Sequence, residues 1–313
     1  MNIVILGATS HIAKGLIERF LNQRTDTLHL YSRSSDKVQL FLQKIGMSDN
    51  ADCRLFGDYG DFLSGSYDVI INCIGVETRN SHDCDFTRYF SVTEEFDNLV
   101  ISYLKDRNPA ALYISFSSGA VYGRGFSEPV YDSSINCIPV NHVTRQDYYG
   151  IVRINAEAKH RAHENLNIID LRIFSYFSRY INLLDGYFIT DVIQAIRHKT
   201  VLHTDSNDIV RDYLHPEDLY MAIRACIGSG WINRAIDTNS TGPVNKEEIL
   251  DYFSSVYGLK YEKHPVAENI SATGSKSSYY SICNHTSAIN YSPRYSSMDS
   301  IIQEASHLLN NIS

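Results

Sequence analysis

The stretch DYYGIVRINAEA (147–158) sets two tyrosines side by side and places Arg153 four residues after the second, Tyr149. Residues four apart share one face of a helix, so a phenol and a guanidinium can act together there. The chemistry on offer is proton transfer. A free tyrosine has a pKa of about 10, and a neighbouring cation favours its phenolate. The plain alternative is an amphipathic helix that carries a Tyr and an Arg and nothing more.

Three further stretches bear on that choice. GATSHIAKG (7–15) follows the apolar run NIVILG (2–7). Gly7 suits a tight turn that lets backbone N–H groups and the next helix N-terminus face a pyrophosphate. Ser10 and Ala13 stand where further glycines would serve, and both are small. In LYSRSSDK (30–37), Ser32, Arg33 and Ser34 precede the first acid, Asp36. An acid at the end of a second strand binds a ribose 2′-hydroxyl, whereas an arginine accommodates a 2′-phosphate. This favours NADP, with NAD as the alternative. YISFSSGAVYG (113–123) ends a strand on Ser117 and Ser118, at the sheet edge where open α/β folds bind ligands.

The elements that must position these residues alternate. Strands are expected at 2–7, 27–32, 53–57, 67–75, 111–118 and 167–174, with helices at 11–23, 36–46, 92–108 and 148–165. Alternating β and α implies a parallel, doubly wound sheet, the Rossmann-like α/β class. After about residue 175 the alternation breaks. Helices are expected at 186–199, 245–258 and 297–309, and one entered through Pro216 within 211–227. We therefore expect a dinucleotide-binding domain over 1–175, with a returning segment near 200–228. A smaller, mainly substrate-binding lobe should cover 176–313.

The bulk properties narrow the function. The 313 residues are 43% hydrophobic and 20% charged, which suits a packed globule. A net charge of −8 and the absence of any basic run argue against a nucleic-acid surface. Six scattered cysteines without a C-x-x-C pair suggest free thiols in a reducing compartment. No stretch approaches the roughly 18 apolar residues of a membrane span. The expectation is a cytoplasmic protein with no membrane partner. His160 and His163 stand three apart but have no further metal ligands at hand, so no metal site is expected.

In order, GATS after a strand, SSGAVYG, YYGIVRINAE and RDYLHPEDL (211–219) resemble the extended short-chain dehydrogenase/reductases. Within them they are similar to the NAD(P)-dependent nucleotide-sugar epimerase, dehydratase and reductase family. SPRYSSMDSI (292–301) extends the resemblance to the last helix. The resemblance implies a catalytic set of Ser118, Tyr149 and Arg153, with arginine where the family has lysine. It gives Tyr148 no catalytic part. It implies cofactor contacts from Gly7, Thr9, Ser10, His11, Ile12, Ser32, Arg33, Asp58, Tyr59, Cys73, Ile74, Gly75, Tyr149 and Arg153. Substrate contacts fall on Ser118, Ser175 and Arg211, the last to a nucleotide diphosphate. Ser91 stands where the family often has asparagine, and Ser175 also replaces an asparagine. Gly119 and Ala120 follow Ser118 where the dehydratases carry Asp-Glu, which disfavours dehydration.

The function expected is therefore an NADP-dependent reductase of a nucleotide-linked 4-keto sugar. An epimerase using bound NAD and a non-catalytic NADP-binding sensor are the alternatives. A homodimer through two helices per subunit is common in such enzymes.

Overall fold

A computed structural model describes residues 1–48, 50–76, 85–265 and 276–310. The elements of the first half follow the alternation. They are β1 (Asn2–Leu6), α1 (His11–Gln23), β2 (Thr27–Tyr31), α2 (Ser35–Lys44), β3 (Cys53–Phe56), β4 (Val69–Asn72), α3 (Thr87–Asp106), β5 (Leu112–Ser118), α4 (Arg145–Ala162) and β6 (Ile168–Ile173). The second half continues with β7 (Ser175–Tyr176), α5 (Phe188–His198), β8 (Val201–Asp205), β9 (Val210–Arg211), β10 (Tyr213–Leu214) and α6 (Pro216–Gly228). It ends with β11 (Asn233–Thr238), β12 (Val244–Asn245), α7 (Lys246–Tyr257), β13 (Lys260–His264), β14 (Ser278–Tyr279) and α8 (Ser297–Leu309).

Among the described residues, seven strands form one sheet in the order β11-β6-β5-β4-β1-β2-β3, and every pairing in it is parallel. The winding reverses between β1 and β4, which opens a crevice at their carboxyl ends. Both faces are covered. Ile3, Ile5, Leu28, Ile71 and Ile114 pack on one side with residues of α1, α2 and α6. Val4, Leu6, Ile70 and Tyr113 pack on the other with Val100, Ile101 and Leu104 of α3. Full burial of each such aliphatic side chain contributes about 1.5–3 kcal/mol. A separate core joins Ile189, Val192 and Ile193 of α5 to Ile249, Leu250 and Phe253 of α7, and to Ile301 and Ala305 of α8.

Three differences from the sequence reading have local causes. Helix α4 starts three residues earlier than expected because Thr144 and Asp147 form a capping box, with the Thr144 N–H donating to Asp147 Oδ2 at 2.7 Å. Arg124 ion-pairs with the same Asp147. Helix α3 starts at Thr87, five residues earlier than expected, where Asp85 Oδ1 accepts from the Thr87 N–H at 3.0 Å. Strand β11 was not expected at all. Its sequence, NRAIDT, lacks an apolar run because it is an edge strand that, among the described residues, pairs only with β6.

Candidate active site

Gly7 ends β1 with a φ of +73°, and a Cβ there would lie 3.0 Å from the carbonyl carbon and oxygen of Cys73. Only glycine allows both the left-handed turn and this approach of two backbones. The Gly7 and Ala8 N–H groups both donate to the Tyr31 carbonyl at 3.0 Å. Ser10 caps α1, its Oγ accepting from the Ala13 N–H at 3.2 Å. His11 opens the helix, and burial pushes its imidazole down to about 4, so it is neutral at pH 7. Thr9 is half-buried in the turn, and Ile12 packs against the sheet core. Cys73, Ile74 and Gly75 follow β4, on the other side of the crevice, with the Ile74 N–H held by Asn72 Oδ1 at 3.0 Å.

The β2 and β3 ends supply the next wall. Ser32 is buried, and its Oγ accepts from the Ser34 N–H at 3.1 Å. Arg33 is exposed, near enough to Tyr59 to act on its phenol electrostatically. Tyr59 packs edge-on against Phe96 of α3 at 4.6 Å, and Asp58 Oδ1 accepts from the Gly60 N–H at 2.8 Å.

Helix α4, which carries Tyr149, packs against the turn that follows Ser118. Gly150 makes this close, since a Cβ there would lie 2.6 Å from the Ala120 carbonyl oxygen. Helix α4 is therefore pressed onto the turn that follows Ser118. Ser118 is buried, and its Oγ accepts from the Ala120 N–H at 3.2 Å. The same Oγ shares a hydrogen bond of 3.0 Å with the hydroxyl of Tyr279. The Arg153 guanidinium lies 5.2 Å from the Tyr149 ring centroid. It also borders a cavity of about 10 Å³ with Asn72, Ile74, Asp97 and Ser115. Tyr148 instead meets Phe86, just before α3, and Phe90 of α3, each at 6.0 Å.

Beneath the site run two buried polar networks. In one, Ser117 Oγ donates to Glu157 Oε1 at 2.6 Å, and Arg172 clamps Glu157 at 2.6 to 3.2 Å. Arg172 also donates to Tyr122, which donates to Asp237. In the other, His160 bridges Asp97 at 2.6 Å and Asp170 at 2.8 Å. This answers the His160–His163 spacing: His160 is an ion-pair bridge between helices and sheet.

The second half of the chain reaches Ser118 through Tyr279. Arg211 lies in β9 between β12 and β14, and its Nη1 donates to the Lys276 carbonyl at 2.7 Å. The Arg211 guanidinium and the Lys276 ammonium lie 5.9 and 4.3 Å from the Tyr279 ring centroid. Ser175 pairs with Tyr213 in a two-stranded ribbon. Other residues of RDYLHPEDL are structural. Asp218 accepts from the Tyr291 hydroxyl at 2.6 Å and from the Arg294 N–H at 3.0 Å, and His215 caps α6. Tyr279 and Lys276 escaped the sequence reading, since each is remote in sequence from Ser118 and sits in no motif.

The residues present fit a bound dinucleotide. The Gly7 cradle admits no Cβ, and Arg153 Nε is buried beside the site with no hydrogen-bond acceptor among the described residues. A doubly wound sheet with a glycine turn at its switch point, a hydroxyl at the β5 edge and a Tyr-x-x-x-cation helix defines an extended short-chain dehydrogenase/reductase. The chain matches the NAD dependent epimerase/dehydratase family over residues 3–235 and belongs to it.

Solved structures agree on the fold. UDP-glucuronic acid 4-epimerase from Bacillus cereus superposes with a TM-score of 0.82 at 17% identity, covering 99% of this chain and 100% of its own. UDP-N-acetylglucosamine 4-epimerase from Methanobrevibacter ruminantium gives 0.81 at 15% identity, with 99% and 98% covered. dTDP-glucose 4,6-dehydratase from Bacillus anthracis, in complex with NAD, gives 0.77 at 14%, with 99% and 97% covered. No curated protein sequence gives a significant match.

Proposed function

We propose that this protein is an NADP-dependent oxidoreductase of a nucleotide-linked sugar, acting as a 4-keto-sugar reductase. The observation that carries the cofactor choice is the end of β2. Buried Ser32 and exposed Arg33 stand there instead of an acid, beside Tyr59. A guanidinium with adjacent hydroxyls suits a 2′-phosphate better than a bare ribose.

The nicotinamide, when bound, supplies or accepts the hydride. The chain's own residues do the rest. Tyr149 passes its phenolic proton to the keto oxygen, and solvent restores that proton afterwards. Ser118 donates a hydrogen bond to the same oxygen as negative charge develops on it. Arg153 favours the phenolate that Tyr149 becomes, through its charge 5.2 Å from the ring. Arg211 and Lys276, flanking Tyr279, offer cations to a diphosphate. In this reading residues 1–175 hold the cofactor and 176–313 mainly the sugar nucleotide.

A second reading, an epimerase using bound NAD, is supported by the solved 4-epimerases of the same fold that carry NAD. The two separate on cofactor balance. Purified protein is mixed with NADPH or NADH and a panel of nucleotide-linked 4-keto and 4-hydroxy sugars. The reductase reading expects stoichiometric loss of NADPH and one reduced sugar. Interconversion of 4-hydroxy sugars without net loss of NADPH would replace it with the epimerase. Tight NADPH binding without any turnover would leave a sensor.

A further inference from the structure

Outside the Ser118–Tyr149 site, two chain segments bring three metal-ligand side chains together. Val130 and Ser281 form a parallel bridge, with the Val130 N–H donating to the Tyr280 carbonyl at 2.9 Å and the Ile282 N–H to the Val130 carbonyl at 3.0 Å. Two residues beyond each bridge partner stand Asp132 and Cys283, and two beyond Cys283 stands His285. One ligand atom from each of the three lies within 4.8 Å of the others. His285 Nε2 is 2.9 Å from Asp132 Oδ1.

The imidazole is aimed from behind. Its Nδ1 lies 3.5 Å from Oδ2 of Asp237, a fully buried carboxylate. Asp237 is itself fixed by Ser281 at 2.6 Å, Tyr122 at 3.1 Å and Arg172 at 3.4 Å. A carboxylate behind one ring nitrogen is the usual support for a histidine whose other nitrogen binds metal. The second trio, His203, Glu262 and His264, is wholly exposed and has no such support among the described residues.

We propose that Asp132, Cys283 and His285 bind a divalent ion of the zinc class and thereby pin residues 276–285 to the loop after β5. A thiolate, an imidazole and a carboxylate are a zinc-type donor set, and a soft sulfur ligand excludes magnesium and calcium. Two anionic ligands and one neutral one balance a doubly charged ion. Metal–ligand bonds of about 2.0–2.3 Å set tetrahedral ligand atoms roughly 3.5 Å apart, which small side-chain rotations reach from here. A fourth position stays open to water. The pinned segment carries Tyr279, whose hydroxyl meets Ser118, so metal at this site fixes one wall of the sugar pocket. The trio is not legible in the sequence, because Asp132 is some 150 residues from Cys283 and His285.

Cobalt(II) is the probe. Chelator-stripped full-length protein carrying Cys84→Ser, Cys137→Ser, His203→Ala and His264→Ala is titrated, which removes Cys84, the exposed thiol among the described residues and the other trio. The expected result is one cobalt per chain, with a thiolate charge-transfer band and the visible bands of tetrahedral cobalt. Cys283→Ser should abolish the charge-transfer band, and Asp132→Asn should weaken binding at least about tenfold. Absence of the band, or its persistence in Cys283→Ser, would overturn the proposal. Should Cys283→Ser fail to fold, exposed Asp132→Asn decides, and unchanged affinity there refutes the site. Zinc should also raise the melting temperature of the unmodified chain but not of Asp132→Asn. These readouts do not depend on the sugar reaction, so their failure is separate from failure of the proposed function.

Discussion

A guanidinium and an ammonium stabilise a phenolate by the same charge but not by the same shape. Arg153 is planar and longer than lysine, and here it reaches past the Tyr149 ring to the cavity bordered by Asn72 and Asp97. In our reading it serves both Tyr149 and the cofactor, whereas Tyr149 serves the proton alone. The two roles predict different losses. Tyr149→Phe should lower kcat by about 10²–10⁴-fold, the usual size of a general acid's contribution, and leave cofactor affinity nearly unchanged. Arg153→Ala should lower both. Turnover by Tyr149→Phe at the parent rate, measured alongside cofactor titration, would remove Tyr149 from the mechanism. At this scale the sequence is legible where chemistry and spacing coincide. Tyr149 and Arg153 sit one helical turn apart, and Gly7 has a backbone reason visible from its position after β1. Tyr279 has neither, because only tertiary folding brings β14 to Ser118.

Helix α4 carries the Tyr149–Arg153 pair at one end and a buried cation at the other. His160 is fully buried between Asp97 and Asp170, with Lys159 also on Asp97, Arg161 on Asp170 and Tyr113 donating to Asp97. Burial opposes its charge, but hydrogen bonds to Asp170 and Asp97 outweigh that and raise its pKa to about 9. The folded value exceeds the unfolded one of about 6.5. Its contribution to stability is therefore complete below about pH 6.5 and is lost as the pH rises through about 9. Denaturant unfolding should show stability falling by a few kcal/mol across that window, and His160→Gln should flatten the fall. An unchanged slope in the variant would show that His160 is not the titrating group. The sequence reveals α4 as a helix but not this role, since a histidine's partners on β6 and α3 are set by packing. The same limit explains β11. An edge strand with a polar sequence is specified by the open side of β6, not by its own pattern.

At the scale of the whole molecule, cofactor binding is read out as stability. The parallel sheet and the alternation that builds it were readable because buried strands are continuous apolar runs, as in VIIN of β4. The second half was less so. Its strands β7, β9, β10, β12 and β14 are two residues each, too short to carry a period. Among the described residues no helix is long and apolar enough to cross a membrane. A ligand that binds only the folded chain stabilises it by RT ln(1 + [L]/Kd), or about 2.7 kcal/mol at a hundredfold excess over Kd. If the end of β2 reads a 2′-phosphate, NADP should raise the melting temperature by several degrees, and NAD at equal concentration by less. Arg33→Ala tests the cause, because Arg33 is exposed and its removal should leave the unliganded melting temperature unchanged. A lost charge-assisted phosphate contact of about 1.5–3 kcal/mol weakens NADP roughly ten- to hundredfold. The variant's response to NADP should then fall to that of NAD, while its response to NAD stays as before. Equal shifts from both cofactors in the parent protein would move the balance to NAD and, with it, to the epimerase.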